Sequence, residues 1–197
     1  MVKILKIGLF LILVLPLMGQ SSRRAIDTEN SIVEWVGAKV TGEHSGIIRL
    51  SEGYLEYDGE KILGGKFVID MNSLENQDIL RDDRKRNLEK HLKSDDFFDV
   101  SNHPTAEFEI SSAVVAHKVN SEQTYRFYGD LTIKGITHVI DFESDVKFTD
   151  QGARASGKMI INRAQYNIRY KSGSFYEDLG DRLIYDEFSI SFNVVTQ

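Results

Sequence analysis

Apolar and polar residues alternate along much of this chain. The clearest segment is 136–148, where alternate positions are mostly apolar on one face and mostly polar on the other. Only Val139 and Ser144 break that pattern. A period of two predicts a β-strand with one dry face and one wet face. The same alternation returns near the C-terminus, at residues 184–194.

Strand patterns of this kind dominate the chain. The predicted strands are residues 31–40, 46–57 with an interruption at 51–53, 62–70, 105–119, 123–134, 136–148, 153–162 and 182–195. Turn-forming residues separate them, such as the DGEK stretch at 58–61. Roughly eight antiparallel strands are enough to close a barrel that holds side chains or one ligand. The sequence therefore predicts an all-β, antiparallel, roughly eight-stranded barrel with one short inserted helix.

The inserted helix is predicted between the third and fourth strands. Asp82 or Asp83 can cap its N-terminus, and it continues to about Leu92. Leu88 and Leu92 lie one turn apart and would dock it on the barrel. The polar segment before it, residues 73–83, is predicted to be irregular.

The first twenty residues have the composition of a secretory signal peptide. Lys3 and Lys6 precede an uncharged apolar run at 7–17, and small or polar residues follow it. The run is short for a transmembrane helix, which needs about 20 residues, although a retained anchor is the alternative. We expect cleavage between Gly19 and Ser22 and a protein of the periplasm or otherwise exported. Residues 25–197 then form one domain.

Charge and cysteine content narrow the choice of partners. Without Lys3 and Lys6 the net charge changes from −6 to −8, which argues against nucleic acid as a partner. No basic cluster is present that would hold an anionic membrane permanently. The absence of cysteine in an exported chain means that the core or a closed sheet must stabilise it without disulfides.

The inward positions of the predicted strands carry many large apolar side chains. A hydrophobic ligand of lipid size would explain them, and a filled protein core is the alternative. Burial of a lipid chain contributes about 25 cal/mol per Å² of apolar surface, without specific polar contacts. The candidate lining residues are Trp35, Phe67, Phe108, Ile110, Phe127, Leu131, Ile140, Phe142, Met159, Phe188, Ile190 and Phe192.

Two histidines are candidates for the mouth of such a pore. His44 lies where the first hairpin should turn, and His138 lies on the apolar face near the start of its strand. Either could hydrogen-bond a ligand head group. The alternative for both is a structural role.

The residues for catalysis or metal binding do not occur in a recognisable pattern. No cysteine is available as a nucleophile, and the GSF sequence at 173–175 lacks the serine flanked by glycines of a hydrolase elbow. No histidine pair has the spacing typical of zinc sites. The sequence thus predicts no catalytic residue, no metal site and no cofactor.

Several segments together resemble the YceI-like family of exported lipid-binding proteins. They are IDTENSIVEWVGAKVTGEHSG, GGKFVIDMNSL, HLKSDDFFDVSNHPTAEFEI, GDLTIKGITHVIDF and the C-terminal ASGKMIINRAQYNIRYKSGSFYEDLGDRLIYDEFSISFNV. The resemblance covers the chain from Ala25 onward. It implies a lipocalin-like barrel with a long internal pore that takes polyisoprenoid, quinone-like or other amphiphilic lipids.

These observations predict a carrier that sequesters a hydrophobic small molecule without catalysis. Its contact with membranes would be transient, and a homodimer is compatible with the sequence. One alternative is an enzyme that acts on an isoprenoid lipid. Another is a stress-related or interaction barrel that binds no lipid. The sequence does not identify the lipid, its donor or its acceptor.

Overall fold

The computed structural model describes residues 21–119 and 122–197, and the predicted signal peptide lies outside these residues. Within them the chain forms nine strands, which join in one sheet, and one α-helix. The elements are β1 (Ser22–Ala25), β2 (Ile32–Lys39), β3 (Gly42–Asp58), β4 (Lys61–Asn76), α1 (Asp82–Lys93), β5 (Thr105–Val119), β6 (Glu122–Ile133), β7 (Ile136–Thr149), β8 (Gly152–Asn162) and β9 (Ile184–Val195).

The sheet is an up-and-down barrel. Each strand from β2 to β8 pairs antiparallel with the next strand in the chain, and β9 pairs with β2 to close the ring. The short β1 pairs with the second half of β3, beyond the part that pairs with β2. The closed ring therefore has eight strands. The predicted antiparallel, eight-stranded barrel with one helix is confirmed.

Two strand predictions differ from the structure. The short β1 was not predicted, and β4 continues to Asn76, through residues predicted to be irregular. The polar sequence SLEN hides this extension. Met71 and Leu74 are nevertheless buried, and the fully buried Asn76 donates a side-chain hydrogen bond to the carbonyl of Ser45 at 2.9 Å. Asn76 thus fills a buried position at which period-two alternation would place an apolar residue. Its side-chain amide can be buried there because it has a hydrogen-bond partner.

The helix lies where it was predicted, but its N-terminal cap differs. Arg81 is the N-cap residue and makes no side-chain capping bond, whereas Asp82 and Asp83 lie in the first turn. Their carboxylates interact favourably with the positive end of the helix dipole there. Across residues 21–119 and 122–197, no helix has the length and apolar character needed to cross a membrane.

A glycine permits one close contact in the barrel wall. Gly46 on β3 lies opposite Trp35 on β2, and the indole Nε1 donates to the carbonyl of Ile47 at 3.3 Å. A Cβ added at Gly46 would lie 2.7 Å from the indole ring and still closer to the carbonyl oxygen of Glu75. Any larger residue must therefore displace Trp35 or separate β3 from β4.

We predict that Gly46→Ala destabilises the barrel by about 1–3 kcal/mol, the usual cost of overpacking. The matched control is Gly37→Ala on the neighbouring strand, because a Cβ at Gly37 meets nothing within 4 Å. Urea unfolding followed by tryptophan fluorescence measures both variants. If the two variants were equally stable, the packing of Trp35 would not require a glycine at position 46.

Candidate functional site

The barrel contains an apolar cavity of about 280 Å³. One buried water needs only about 10–15 Å³ in comparable measure, so the space is large for a packing defect. Eleven of the twelve predicted lining residues border it: Trp35, Phe67, Phe108, Ile110, Phe127, Leu131, Phe142, Met159, Phe188, Ile190 and Phe192. Whether they contact a ligand stays a prediction.

Several of these inward side chains remain partly accessible. Phe142, Met159, Phe188 and Phe192 are only half-buried, although they lie on the inner face of the wall. Side chains in a filled core are close-packed and leave few voids larger than a water molecule. The residual accessibility therefore belongs to surface that faces the cavity.

In the part of the chain that the structure describes, aromatic side chains pack across one end of the barrel. Tyr125 is 1% exposed, and its hydroxyl donates to the carbonyl of Glu60 in the β3–β4 turn. The rings of Tyr57 and Phe148 lie 5.1 Å apart beside it, and Tyr125 lies 6.4 Å from Phe148 in an edge-on arrangement. Burial, and secondarily the charge of Glu60, raise the pKa of the Tyr125 hydroxyl, so it remains a neutral donor.

The cavity reaches solvent at the opposite end. Lys39 and Gly42 of the β2–β3 hairpin are exposed and belong to the lining, as does Tyr185 at 49% exposure. Leu88 and Leu92 of α1 cover part of this end. The β2–β3 hairpin, Tyr185 and α1 thus surround the mouth of the cavity, and the barrel strands form the wall of the cavity inside it.

His44, a predicted mouth residue, borders the cavity at this open end. Its Nδ1 forms a hydrogen bond with Oδ2 of Asp78 at 2.9 Å. Partial burial acts to raise the pKa of Asp78, but hydrogen bonds from His44, the Ser45 amide and Asn76 outweigh it and hold that pKa below its ordinary value. The pair ties the β2–β3 hairpin to the segment that precedes α1.

His138 and Ile140 are not brought to the cavity. Ile140 packs against the core on the inner face but is not part of the lining. His138 shares a 3.0 Å hydrogen bond between its Nε2 and the carbonyl of Gln165, and its ring lies edge-on to Tyr166 at 5.2 Å. Alternation correctly indicates the side of β7 on which they lie. It does not show that the Arg163–Tyr166 turn covers this end of the strand.

A buried arginine at the open half of the cavity escaped the sequence analysis. Arg163 is 4% exposed and borders the cavity. Its guanidinium donates to the carbonyls of Tyr185 at 3.1 Å, Ile168 at 3.1 Å and Ile184 at 3.0 Å. Burial lowers its pKa, and the negative charge of Asp186 opposes that shift.

Asp186 is the charge partner of Arg163. Its Oδ1 lies 3.3 Å from Nη2 of Arg163, and its Oδ2 accepts a hydrogen bond from Ser174 at 2.6 Å. The sequence analysis did not identify this pair. The signal was present in the alternation, because Arg163 continues the inward series of Met159 and Ile161.

Some of the lining residues that sequence analysis missed come from the helix and the loops. Leu88 and Leu92 were assigned to docking of the helix, and Phe98 and Tyr185 to no site at all. Within the part of the chain that the structure describes, no group of three His, Cys, Asp or Glu side chains is arranged to hold a metal ion.

The fold and the cavity define an up-and-down β-barrel with an apolar interior that opens at one end. The YceI-like domain family matches residues 25–196, and the chain belongs to that family. A UPF0312 protein of Vibrio parahaemolyticus is 28% identical over 184 residues, which cover 87% of this chain and 91% of the relative. One of Yersinia enterocolitica is 30% identical over 147 residues, 70% of this chain and 69% of the relative.

Solved structures share the fold. BcnA of Burkholderia cenocepacia superposes with a TM-score of 0.70 at 22% identity and covers 87% of this chain and 99% of its own. A polyisoprenoid binding domain from Saccharophagus degradans, implicated in plant cell wall breakdown, superposes with a TM-score of 0.64 at 15% identity. It covers 90% of this chain and 99% of its own.

We predict that Arg163→Met lowers the free energy of unfolding by about 3–5 kcal/mol, because it removes the three hydrogen bonds to backbone carbonyls and leaves the partly buried Asp186 without its charge partner. At about 2–4 °C per kcal/mol for a chain of this size, Tm should fall by roughly 10 °C. Arg182→Met is the control, since Arg182 is exposed and such changes cost within about 0.5 kcal/mol. Calorimetry that finds equal Tm values for both variants would contradict the structural role of the pair.

Proposed function

We propose that the protein is an exported carrier that holds the apolar chain of a polyisoprenoid, quinone-like or other amphiphilic lipid in the barrel cavity, without catalysis. The observation that carries the proposal is an almost wholly apolar cavity that has aromatic side chains packed across one end and reaches solvent at the other. Such a blind tunnel excludes water from a chain and leaves one end of the ligand outside.

The affinity would come from burial of the chain. Each Å² of apolar surface removed from water contributes about 25 cal/mol, so a prenyl chain of a few units gains enough to bind without specific contacts. The cavity volume of about 280 Å³ lies near the lower limit of ligand pockets, about 300 Å³. The expected cargo is therefore a short chain, or the inner part of a longer one.

A head group would meet polar atoms at the open half. A guanidinium carries five N–H donors, and the backbone carbonyls use three of those of Arg163, whereas Oδ1 of Asp186 lies 3.3 Å from Nη2 without accepting a hydrogen bond. One donor on Nη1 remains for an oxygen of the ligand. His44 also borders the cavity at this end.

The family supports the same class of ligand. The chain belongs to the YceI-like family, and one structural neighbour is a polyisoprenoid binding domain. Exposed apolar side chains near the open end, including Val40 and Tyr185 at 46% and 49% exposure, support brief contact with a membrane during exchange. The excess of acidic over basic residues favours a contact that ends once the lipid has moved.

We predict that Phe142→Trp and Phe188→Trp reduce lipid binding at least tenfold, a loss of about 1.4 kcal/mol, while the fold is retained. Both side chains border the cavity, so the larger indole occupies the space of the ligand. Tyr128→Trp is the control, because Tyr128 lies on β6 at 37% exposure and does not border the cavity. Fluorescence titration with farnesol that carries a small fluorophore gives the affinities.

Native mass spectrometry of the untreated protein provides the decisive result. A lipid-sized added mass, absent from the two tryptophan variants, is the expected outcome. If the wild type carries no such mass and binds no labelled farnesol, the barrel is not a lipid carrier. Chemical change of the bound probe during incubation would instead favour an enzyme.

Export is tested separately. β1 begins at Ser22, next to the predicted cleavage site, and pairs with β3 from that residue onward. N-terminal sequencing of protein from the cell envelope should begin between Gln20 and Ser22. Recovery of intact Met1 from the membrane fraction would contradict cleavage and favour a retained anchor.

A further inference from the structure

The barrel wall is incomplete between β7 and β8. These strands pair only from Ser144↔Gly157 to Thr149↔Gly152. On its other side β7 pairs with β6 along residues 136–146, and β8 pairs with β9 up to Asn162. Residues 136–143 and 158–162 therefore face each other across an unpaired region of the wall, which we call the β7–β8 slit.

The slit lies in the half of the barrel that opens to solvent. The start of β7 and the end of β8 are at the same end of the barrel as the β2–β3 hairpin, because neighbouring strands run antiparallel. The Arg163–Tyr166 turn closes the slit on that side, through the contacts of His138 with Gln165 and Tyr166. The slit is thus a side opening that the turn separates from the mouth.

Apolar side chains connect the outside of the slit with the cavity. Val139 on β7 is 74% exposed and Ile160 on β8 is 65% exposed. On the inner face, Phe142 and Met159 border the cavity from the same two strand segments. A hydrocarbon chain that crosses the wall here would meet apolar side chains on its outer and inner faces, next to the backbone edges of the two strands.

Ser144 lies where the slit ends. Ser144 borders the cavity, and it also borders a small crevice that Glu143, Asp145, Ser156 and Gly157 help to form. One residue of β7 therefore reaches both spaces. Pairing resumes at this residue, so the slit narrows to nothing there.

We propose that the β7–β8 slit is a side entrance through which the apolar chain of the lipid moves between a bilayer surface and the cavity. Val139 and Ile160 form its outer rim. This inference rests on the proposed function, because it assigns a route to the same ligand.

A lipid chain fits the slit better than a β-strand of a second copy does. An added strand needs a constant spacing of about 4.8 Å from each neighbour along its length. The slit instead closes to direct pairing at Ser144↔Gly157 and is covered by a turn at its other end. A flexible hydrocarbon chain requires no fixed spacing and makes no hydrogen bonds.

An entrance controls rates, whereas the cavity controls affinity. Blocking the slit should therefore slow entry and exit by the same factor and leave the dissociation constant unchanged. The chain has no cysteine, so a cysteine introduced at position 160 is the sole thiol for labelling. Ile160→Cys can be measured before and after attachment of a bulky maleimide, with the same purified sample as its own reference.

The measurement is stopped-flow transfer of fluorophore-labelled farnesol from phosphatidylcholine vesicles. After labelling of Ile160→Cys we expect both rates to fall at least tenfold, and labelling of Val139→Cys should repeat the effect. Labelled Val114→Cys is the matched control, because Val114 is 51% exposed on β5, away from the slit. Its rates should not change.

Three results would overturn the side entrance. Unchanged rates in labelled Ile160→Cys and Val139→Cys, with slowing in labelled Val40→Cys, would place entry at the open end of the barrel. Dissociation of a dimer on labelling of Ile160→Cys, but not of Val114→Cys, would identify the slit as a subunit interface. Failure of the unlabelled wild type to take up the probe would refute the carrier function as well, so the two failures are distinguishable.

Discussion

The pairing of β2 with β9 is the constraint on which the barrel depends. Every other neighbouring pair of strands in the ring is consecutive in the chain, whereas Ile32↔Asn193 and its following pairs join the two ends of the domain. Closing a loop of this length costs conformational entropy before it yields contacts. In return, it removes the free edges that an open sheet would expose, apart from the unpaired segments of the β7–β8 slit. A chain without disulfides gains its stability from that closure.

Closure also sets the width of the interior. Eight strands form a barrel whose inside is just wide enough to be filled by side chains or to hold one ligand. In this chain aromatic rings pack across one end, and the interior beside them retains a cavity that reaches solvent at the other end. The closed end depends on a few side chains such as Tyr125, which is 1% exposed.

Period-two alternation predicted the eight strands of the ring, and eleven of its twelve lining candidates border the cavity, because in a closed barrel each strand has one inner face. The same rule would have found Arg163 and Asp186, which continue the inward series of β8 and β9. Alternation could not show how far along the barrel axis Ile140 and His138 lie, since it does not indicate where the pairing between two strands ends. Leu88 and Phe98 reach the cavity through tertiary packing that no local pattern describes.

The Arg163–Tyr166 turn lies between the Arg163–Asp186 ion pair and the β7–β8 slit. Arg163 leaves β8 toward the interior and is held by the carbonyls of Ile184 and Tyr185 next to Asp186. That anchor draws the chain toward β9, and the fully buried Tyr166 then packs against His138 on β7. The turn thus bounds the β7–β8 slit at the open end of the barrel. Arg163, which borders the cavity, therefore also anchors the turn that bounds this unpaired part of the wall.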